Sequence, residues 1–244
     1  MTREQEAAKY IQERLKLENL ASDNLAKMLK SAALKIAQIS AEYSISPSNF
    51  KFSANAQLKK RVDAVIEELV DAIIADARTI VLHGEDDDER KTTILAWFAS
   101  VFLGMTFRQR VSKHIRSFAA EMEESIATAK KLGYSAQKTA SLVGAYISAP
   151  YNSPLLSGSS AKHCGTGTYA SAYKNLNRAV TDQVARTVQR KFYELDHTGT
   201  TIWQVVRGSS YPCSLCDSSC GIVTNITELP PFHPHCCCIA IPLD

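Results

Sequence analysis

Six of the chain's seven cysteines and two of its six histidines fall in residues 211–240, YPCSLCDSSCGIVTNITELPPFHPHCCCIA. Cys213 and Cys216 are spaced C-x2-C, and after a gap of sixteen residues His233 and Cys236 repeat that spacing as H-x2-C. A C-x2-C corner aims two sulfurs at one ion. The intervening loop must then return a second pair to complete a tetrahedron, the pattern of a structural zinc site. Pro230, Pro231 and Pro234 restrict φ around His233 and reduce the entropy that ligation would cost. The expected ligands are therefore Cys213, Cys216, His233 and Cys236, with Cys238 as the alternative fourth; Cys220, Cys237 and His235 also lie within reach.

A disulfide framework fits the same residues less well. The cysteine count is odd, three cysteines are consecutive, and the opening MTREQEAAKY lacks the apolar core of a secretion signal. A cluster of inert buried thiols is the remaining competitor.

Upstream the chain reads as mainly α. Ala8, Ile11 and Leu15 mark one helical face, with a phase break expected near Asn19–Asn24 and Ser22 as a new N-cap. Leu25, Leu29, Ala32, Ile36, Ile39 and Tyr43 follow at alternating spacings of four and three, a short coiled-coil seam. That seam serves a helix hairpin within the domain or self-association. After Pro47, the positions Leu58, Val62, Val65, Leu69, Ile73 and Ile80 mark a long amphipathic helix that stops at His83-Gly84.

The acids of residues 85–88 read as solvated charge rather than a calcium loop. Thr92 or Thr93 is the expected cap of the next helix, which carries the longest apolar run, residues 94–107. Fourteen residues are too few to span a bilayer, so a buried helix is expected, bent or broken at Gly104, and no membrane partner. Val111, Ile115, Phe118, Met122 and Ile126 continue the stripe, with His114 expected at the surface.

A short helix begins at Ser135. Beyond it, residues 151–167 form the longest irregular connection, where GTGT lacks the lysine and preceding strand of a phosphate cradle. His163-Cys164 raises a thiol nucleophile, but the two are adjacent in the chain and no third, orienting group is visible.

Residues 169–193 return to helix, with Ala172, Leu176, Val180, Val184 and Val188 on one side. Beside them Lys174, Arg178, Arg186 and Arg190 form a cationic stripe, the candidate surface for an anionic partner. Charge is uneven along the chain. Residues 1–129 carry −1, residues 130–191 carry +8 (nine Lys/Arg against Asp182), and residues 192–244 carry −4, matching the net +3. Past Gly199 the period changes: residues 201–206, 222–223 and 238–241 read as strands. So small a β unit is hard to stabilise alone, and the metal is expected to act as its core.

The expected organisation is a helical region of unassigned type over 1–128, a basic helical region over 129–199, and a zinc-stabilised β-ribbon over 200–244, the helical parts being elongated.

The C-terminal third resembles the head morphogenesis proteins similar to protein F of bacteriophage Mu, minor head components of tailed phages. The resemblance rests on Ala185-Arg186-Thr187 in a helix, Trp203 in a strand, Cys213-x2-Cys216, Gly221, and Pro230-Pro231-x-His233-Pro234-x-Cys236-x-Cys238. Where that family usually places arginine between the last two cysteines, this chain has Cys237, and no Lys or Arg occurs from Gly208 onward. A cation-free zinc unit is poorly suited to DNA, since phosphate neutralisation supplies most non-specific affinity. The resemblance implies a non-enzymatic virion component, assembled in the cytoplasm of a bacterial host, that associates with portal or inner capsid proteins. A zinc-stabilised nucleic-acid-binding module using residues 169–193, reaching packaged DNA through residues 130–191, is the second expectation. A zinc- or Cys164-dependent hydrolase is the third.

Overall fold

The computed structural model describes residues 3–156, 163–233 and 236–244, and only the backbone of residues 3, 4, 6 and 151. His235, one of the expected alternative ligands, lies outside the described residues. Seven α-helices and one small sheet are present among them: α1 (Arg3–Ala41), α2 (Ala56–Val81), α3 (Asp88–Ala99), α4 (Phe107–Lys131), α5 (Ala136–Ser148), α6 (Ala172–Lys191), β1 (Trp203–Val206), α7 (Ser214–Ser219), β2 (Gly221–Val223) and β3 (Ile239–Pro242). The chain divides into two compact units. One, here the helical unit, comprises residues 22–76 and 101–180; the other, the mixed unit, comprises residues 1–21, 77–100 and 181–244. Three of these divisions fall within α1, α2 and α6, and the fourth, between residues 100 and 101, falls between α3 and α4.

The expected break near Asn19–Asn24 does not occur, because α1 is continuous and Ser22 caps nothing. Neither glycine nor proline interrupts residues 3–41. The modest helix propensity of Asn, Ser and Asp costs only tenths of a kcal/mol per residue, about 0.5 each. Burial of Ala21, Leu25 and Leu29 outweighs that cost.

In the helical unit the seam of α1 is used internally. Asn24 donates to Asp76 at 2.9 Å, Lys35 meets Glu68 at 3.7 Å, and Arg61 pairs with Glu42, so α1 and α2 run antiparallel as a hairpin. Leu25, Leu29, Ala32 and Ile36 are buried, as are Leu58, Val62, Leu69 and Ile73 of α2.

The apolar run 94–107 is not one buried helix. The α3 segment ends at Ala99, and a tight turn follows in which Phe102 and Met105 exchange backbone hydrogen bonds. Thr106 and Gln109 then form a reciprocal capping box that starts α4. Gly104 has φ +74°, which a side chain would disfavour, and this is the break the sequence anticipated. Asp87, not Thr92 or Thr93, caps α3 by accepting from the Arg90 amide. The stripe Val111, Ile115, Phe118, Met122 and Ile126 is buried as expected, whereas His114 is half-buried rather than superficial.

In the mixed unit β1 is the central strand, antiparallel to β2 and to β3. The anticipated ribbon is thus a three-stranded sheet. Trp203 and Val205 alternate inward against Ala7, Tyr10, Phe192, Tyr193, Leu229, Ile239 and Ala240. Tyr193 meets Trp203 edge to face at 5.3 Å, and Tyr10 stacks on Phe192 at 4.1 Å. This overturns the expectation that a metal must serve as the core of an otherwise coreless β unit. Residues 7–10 and 192–193 supply aromatic surface that a window restricted to residues 200–244 does not contain.

Candidate metal centre

The ligand segments are positioned from three directions. After β1 the chain turns through residues 207–213, where Arg207 gathers the turn: its guanidinium donates to the carbonyls of Ser209 (3.1 Å), Tyr211 and Cys213 (3.5 Å) and pairs with Asp217. Cys213 then caps α7, its carbonyl accepting from the Asp217 amide, and one helical turn brings Cys216 to the same side. The returning strand is held from α6. Gln189, fully buried, donates to the Cys238 carbonyl at 3.1 Å, and the Tyr193 hydroxyl accepts from the Ala240 amide at 3.2 Å. Neither residue carries a metal-ligand signal in the sequence. Their role is visible only once α6 is packed on the sheet.

These constraints bring five donors together. The ligand atoms of Cys213, Cys216 and His233 lie within 4.8 Å of one another, and so do those of Cys216, Cys236 and Cys238. Cys216 belongs to both groups. Its sulfur is 3.0 Å from His233 Nε2 and 3.8 Å from the Cys236 sulfur, and the Cys213 sulfur is 3.3 Å from the same imidazole nitrogen. A disulfide would need about 2.05 Å. Every cysteine in the chain is a free thiol, so the disulfide framework is not formed. Cys216, Cys236 and Cys238 are buried together with Phe232 packed against them, while Cys237 is exposed. Cys220 instead packs against the sheet core.

The thiols differ electrostatically. Backbone N–H from Cys216, then its side chain, holds the Cys213 thiol below the usual range, the knuckle geometry in which amides aim at a thiolate. Burial pushes the Cys216 thiol up, and the neighbouring Cys213, Cys238 and Cys236 sulfurs push it further. Burial also raises Cys236, with the backbone amides of Phe232 and Cys238 opposing the rise. Several sulfurs so close cannot all be anionic without a cation among them. The arrangement can therefore hold a metal ion.

The cationic stripe is divided and engaged. In the helical unit, Lys174 lies over the Tyr169 ring at 5.8 Å and Arg178 donates to Thr168 at 2.6 Å. In the mixed unit, Arg186 meets Asp182 at 3.1 Å, and Arg190 meets Glu194 at 2.5 Å while its guanidinium covers Trp97 at 4.6 Å. A stripe drawn at multiples of four thus becomes four separate intramolecular contacts.

His163 and Cys164 do have a third group beside them, which the sequence did not reveal. Glu121, 1% exposed, accepts from the amides of Cys164 (3.1 Å) and Ala172 (3.0 Å) and meets His163 Nδ1 at 3.3 Å through one oxygen. Its other oxygen takes the Tyr146 hydroxyl. With so many donors the carboxylate fastens the segment 163–172 to α4 and α5. Glu121 lies forty-two residues before His163, so only the packing of α4 under this segment exposes the link. In the GTGT stretch, the Gly165 amide is already committed to the Ala170 carbonyl at 2.7 Å, as expected of a structural turn.

No helix among the described residues is long and apolar enough to cross a membrane. No protein-family model, curated protein or solved structure matches the chain.

Proposed function

We propose that this chain is a non-catalytic structural protein whose C-terminal segment is clipped by a zinc ion, acting as a minor head component of a tailed phage or prophage that associates with portal or inner capsid proteins. The observation that carries the zinc reading is the sharing of Cys216 between two triads of soft donors. Zn–S bonds of about 2.3 Å and Zn–N bonds of about 2.0 Å give tetrahedral edges of about 3.8 Å between sulfurs and about 3.5 Å between sulfur and nitrogen. The 3.8 Å separation of Cys216 and Cys236 fits the first, and 3.0 and 3.3 Å to His233 fall slightly inside the second. Cys216 is common to both triads, and Cys213, His233 and Cys236, or Cys238 in place of Cys236, would complete the set. More donors than a tetrahedron needs favour a closed, structural site over a catalytic one with an open position.

The head-component reading is supported by the motif Pro230-Pro231-x-His233-Pro234-x-Cys236 and by the absence of cations after Gly208, which suits protein docking better than phosphate. Its location would then be the assembled particle. Metal analysis of the purified chain tests the first half, with one zinc per chain expected. Co-sedimentation with assembled heads tests the second. A chain left behind by particles that form normally without it would sink that half alone.

The alternative, a nucleic-acid module on residues 169–193, has less behind it, because Arg178, Arg186 and Arg190 already have intramolecular partners. A salt-dependent DNA affinity lost on changing those three arginines together would favour it.

A further inference from the structure

We propose that the turn before α4 and the first half of that helix form a docking surface for an acidic, aliphatic-bearing segment of a partner protein. The inference is independent of the metal. Residues 107–120 contain Arg108, Arg110, Lys113 and Arg116 and no acid, a local excess concealed by the near-neutral total of the N-terminal half. Two of these cations are committed. Arg108 meets Asp71 at 2.6 Å and Glu67 at 3.6 Å, and Arg110 is buried with its guanidinium 5.2 and 5.6 Å from the Phe102 and Phe107 rings. Lys113 and Arg116 form no ion pair with any described residue. Spaced three apart, they share one helix face and line an open groove of about 440 Å³ with Met105, Arg108, Gln109 and Ser112. A groove with two uncompensated cations on its wall favours a negatively charged occupant.

The turn supplies a second, apolar feature. Leu103 is the one non-glycine residue with positive φ, +52°, among the described residues, and it is 67% exposed; Val101 beside it is 65% exposed. A leucine in the left-handed region costs about 1–2 kcal/mol, and here its side chain gains no burial in return. Strain combined with exposure makes sense when something else covers the side chain. Met105 lines the groove and hydrogen-bonds back to Phe102 to close this same turn, so the aliphatic tip adjoins the end of the groove at the start of α4. Their chemistry selects among anions. No groove-lining side chain is aromatic, whereas unpaired nucleic acid is held by rings interleaved with cations. Interfacial membrane anchors likewise use Trp and Tyr. Aliphatic knobs beside ammonium and guanidinium groups match a protein segment bearing carboxylates and Leu, Ile or Val.

The test is fluorescence anisotropy on the full chain with three labelled probes: a short peptide alternating Glu and Leu, poly-glutamate, and single-stranded DNA. Phosphatidylserine vesicles serve as a flotation control. The Glu–Leu peptide is expected to bind best. Lys113→Glu with Arg116→Glu should weaken it about tenfold, equivalent to about 1.4 kcal/mol. Leu103→Gly should weaken the peptide about fivefold without touching poly-glutamate, because glycine fits the turn; a melting temperature equal to or above the parent's confirms that the fold survives. Four results overturn the proposal: no peptide binding, equal binding of peptide and poly-glutamate, an affinity indifferent to Leu103→Gly, or stronger capture by DNA or vesicles.

Discussion

Two irregular stretches are fixed in different ways. In the mixed unit, the segments carrying Cys213, Cys216, His233, Cys236 and Cys238 bring five soft donors together. In the helical unit, residues 163–172 are fastened by a single buried carboxylate, Glu121, whose hydrogen-bond partners are all within the chain. Both devices bring polar atoms out of water, which is costly unless partners are supplied. The carboxylate finds its partners in backbone amides, an imidazole and a hydroxyl, so that device is complete on folding. In the sulfur cluster, burial and then the neighbouring sulfurs push the Cys216 thiol up, and the gathered donors could hold a metal ion supplied from outside. One device is self-contained; the other, on the zinc reading proposed above, is conditional on metal.

The largest effect should separate them most cleanly. Cys216→Ser removes the donor common to both triads and should abolish metal content. Hydrogen exchange is expected to accelerate across residues 207–238 while residues 163–172 stay protected. Structural zinc is worth about 10–16 kcal/mol in peptides that fold only around it; the aromatic core beneath the sheet should limit the loss here, leaving β1 and β3 partly protected. A strong chelator should reproduce the same pattern on the unmodified chain. Acceleration in both stretches alike would erase the distinction.

Glu121→Ala should come next, costing about 3–5 kcal/mol, the range for removing one partner of a buried charged network. The readout is a lowered melting temperature with metal content unchanged. Glu121→Gln keeps the shape and part of the hydrogen bonding, so it should lose less.

Arg207→Ala should lower the melting temperature of metal-loaded protein less than Glu121→Ala does, and show more clearly as faster metal loss to chelator, since the turn leading to Cys213 is no longer gathered.

The smallest effect concerns acid. Burial pushes the Glu85 carboxyl up, but hydrogen bonds from Arg90 and Lys191 outweigh it and hold the group below its ordinary value. A depressed carboxyl stabilises the fold above its unfolded pKa of about 4.3 and loses that contribution as pH falls through the folded value. Chelated Glu85→Gln protein should therefore show a shallower fall in stability than the chelated parent below about pH 4. Identical slopes would remove Glu85 from the account.

Sequence alone determined the later helical faces, the stop at Gly84 and the strand positions, but not the first face of α1, where Ala8 and Leu15 are exposed and Ala7, Tyr10 and Arg14 turn inward. Apolar residues at spacings of three and four or of two leave one answer when a single face must be buried. It also determined the candidate ligands, because C-x2-C and H-x2-C spacings are local and soft donors are rare enough to stand out. The tertiary structure decided what depended on distant residues. Asn19–Asn24 looked like a helix break, yet α1 runs through because burial on either side outweighs weak propensity. The stripe of Lys174, Arg178, Arg186 and Arg190 looked continuous, yet each side chain finds its own partner. Glu121 meets His163 across forty-two positions, Gln189 meets Cys238 across forty-nine, and Tyr10 reaches a core built around Trp203. Local pattern encodes which face turns inward; what that face meets is set by chain segments no local window contains.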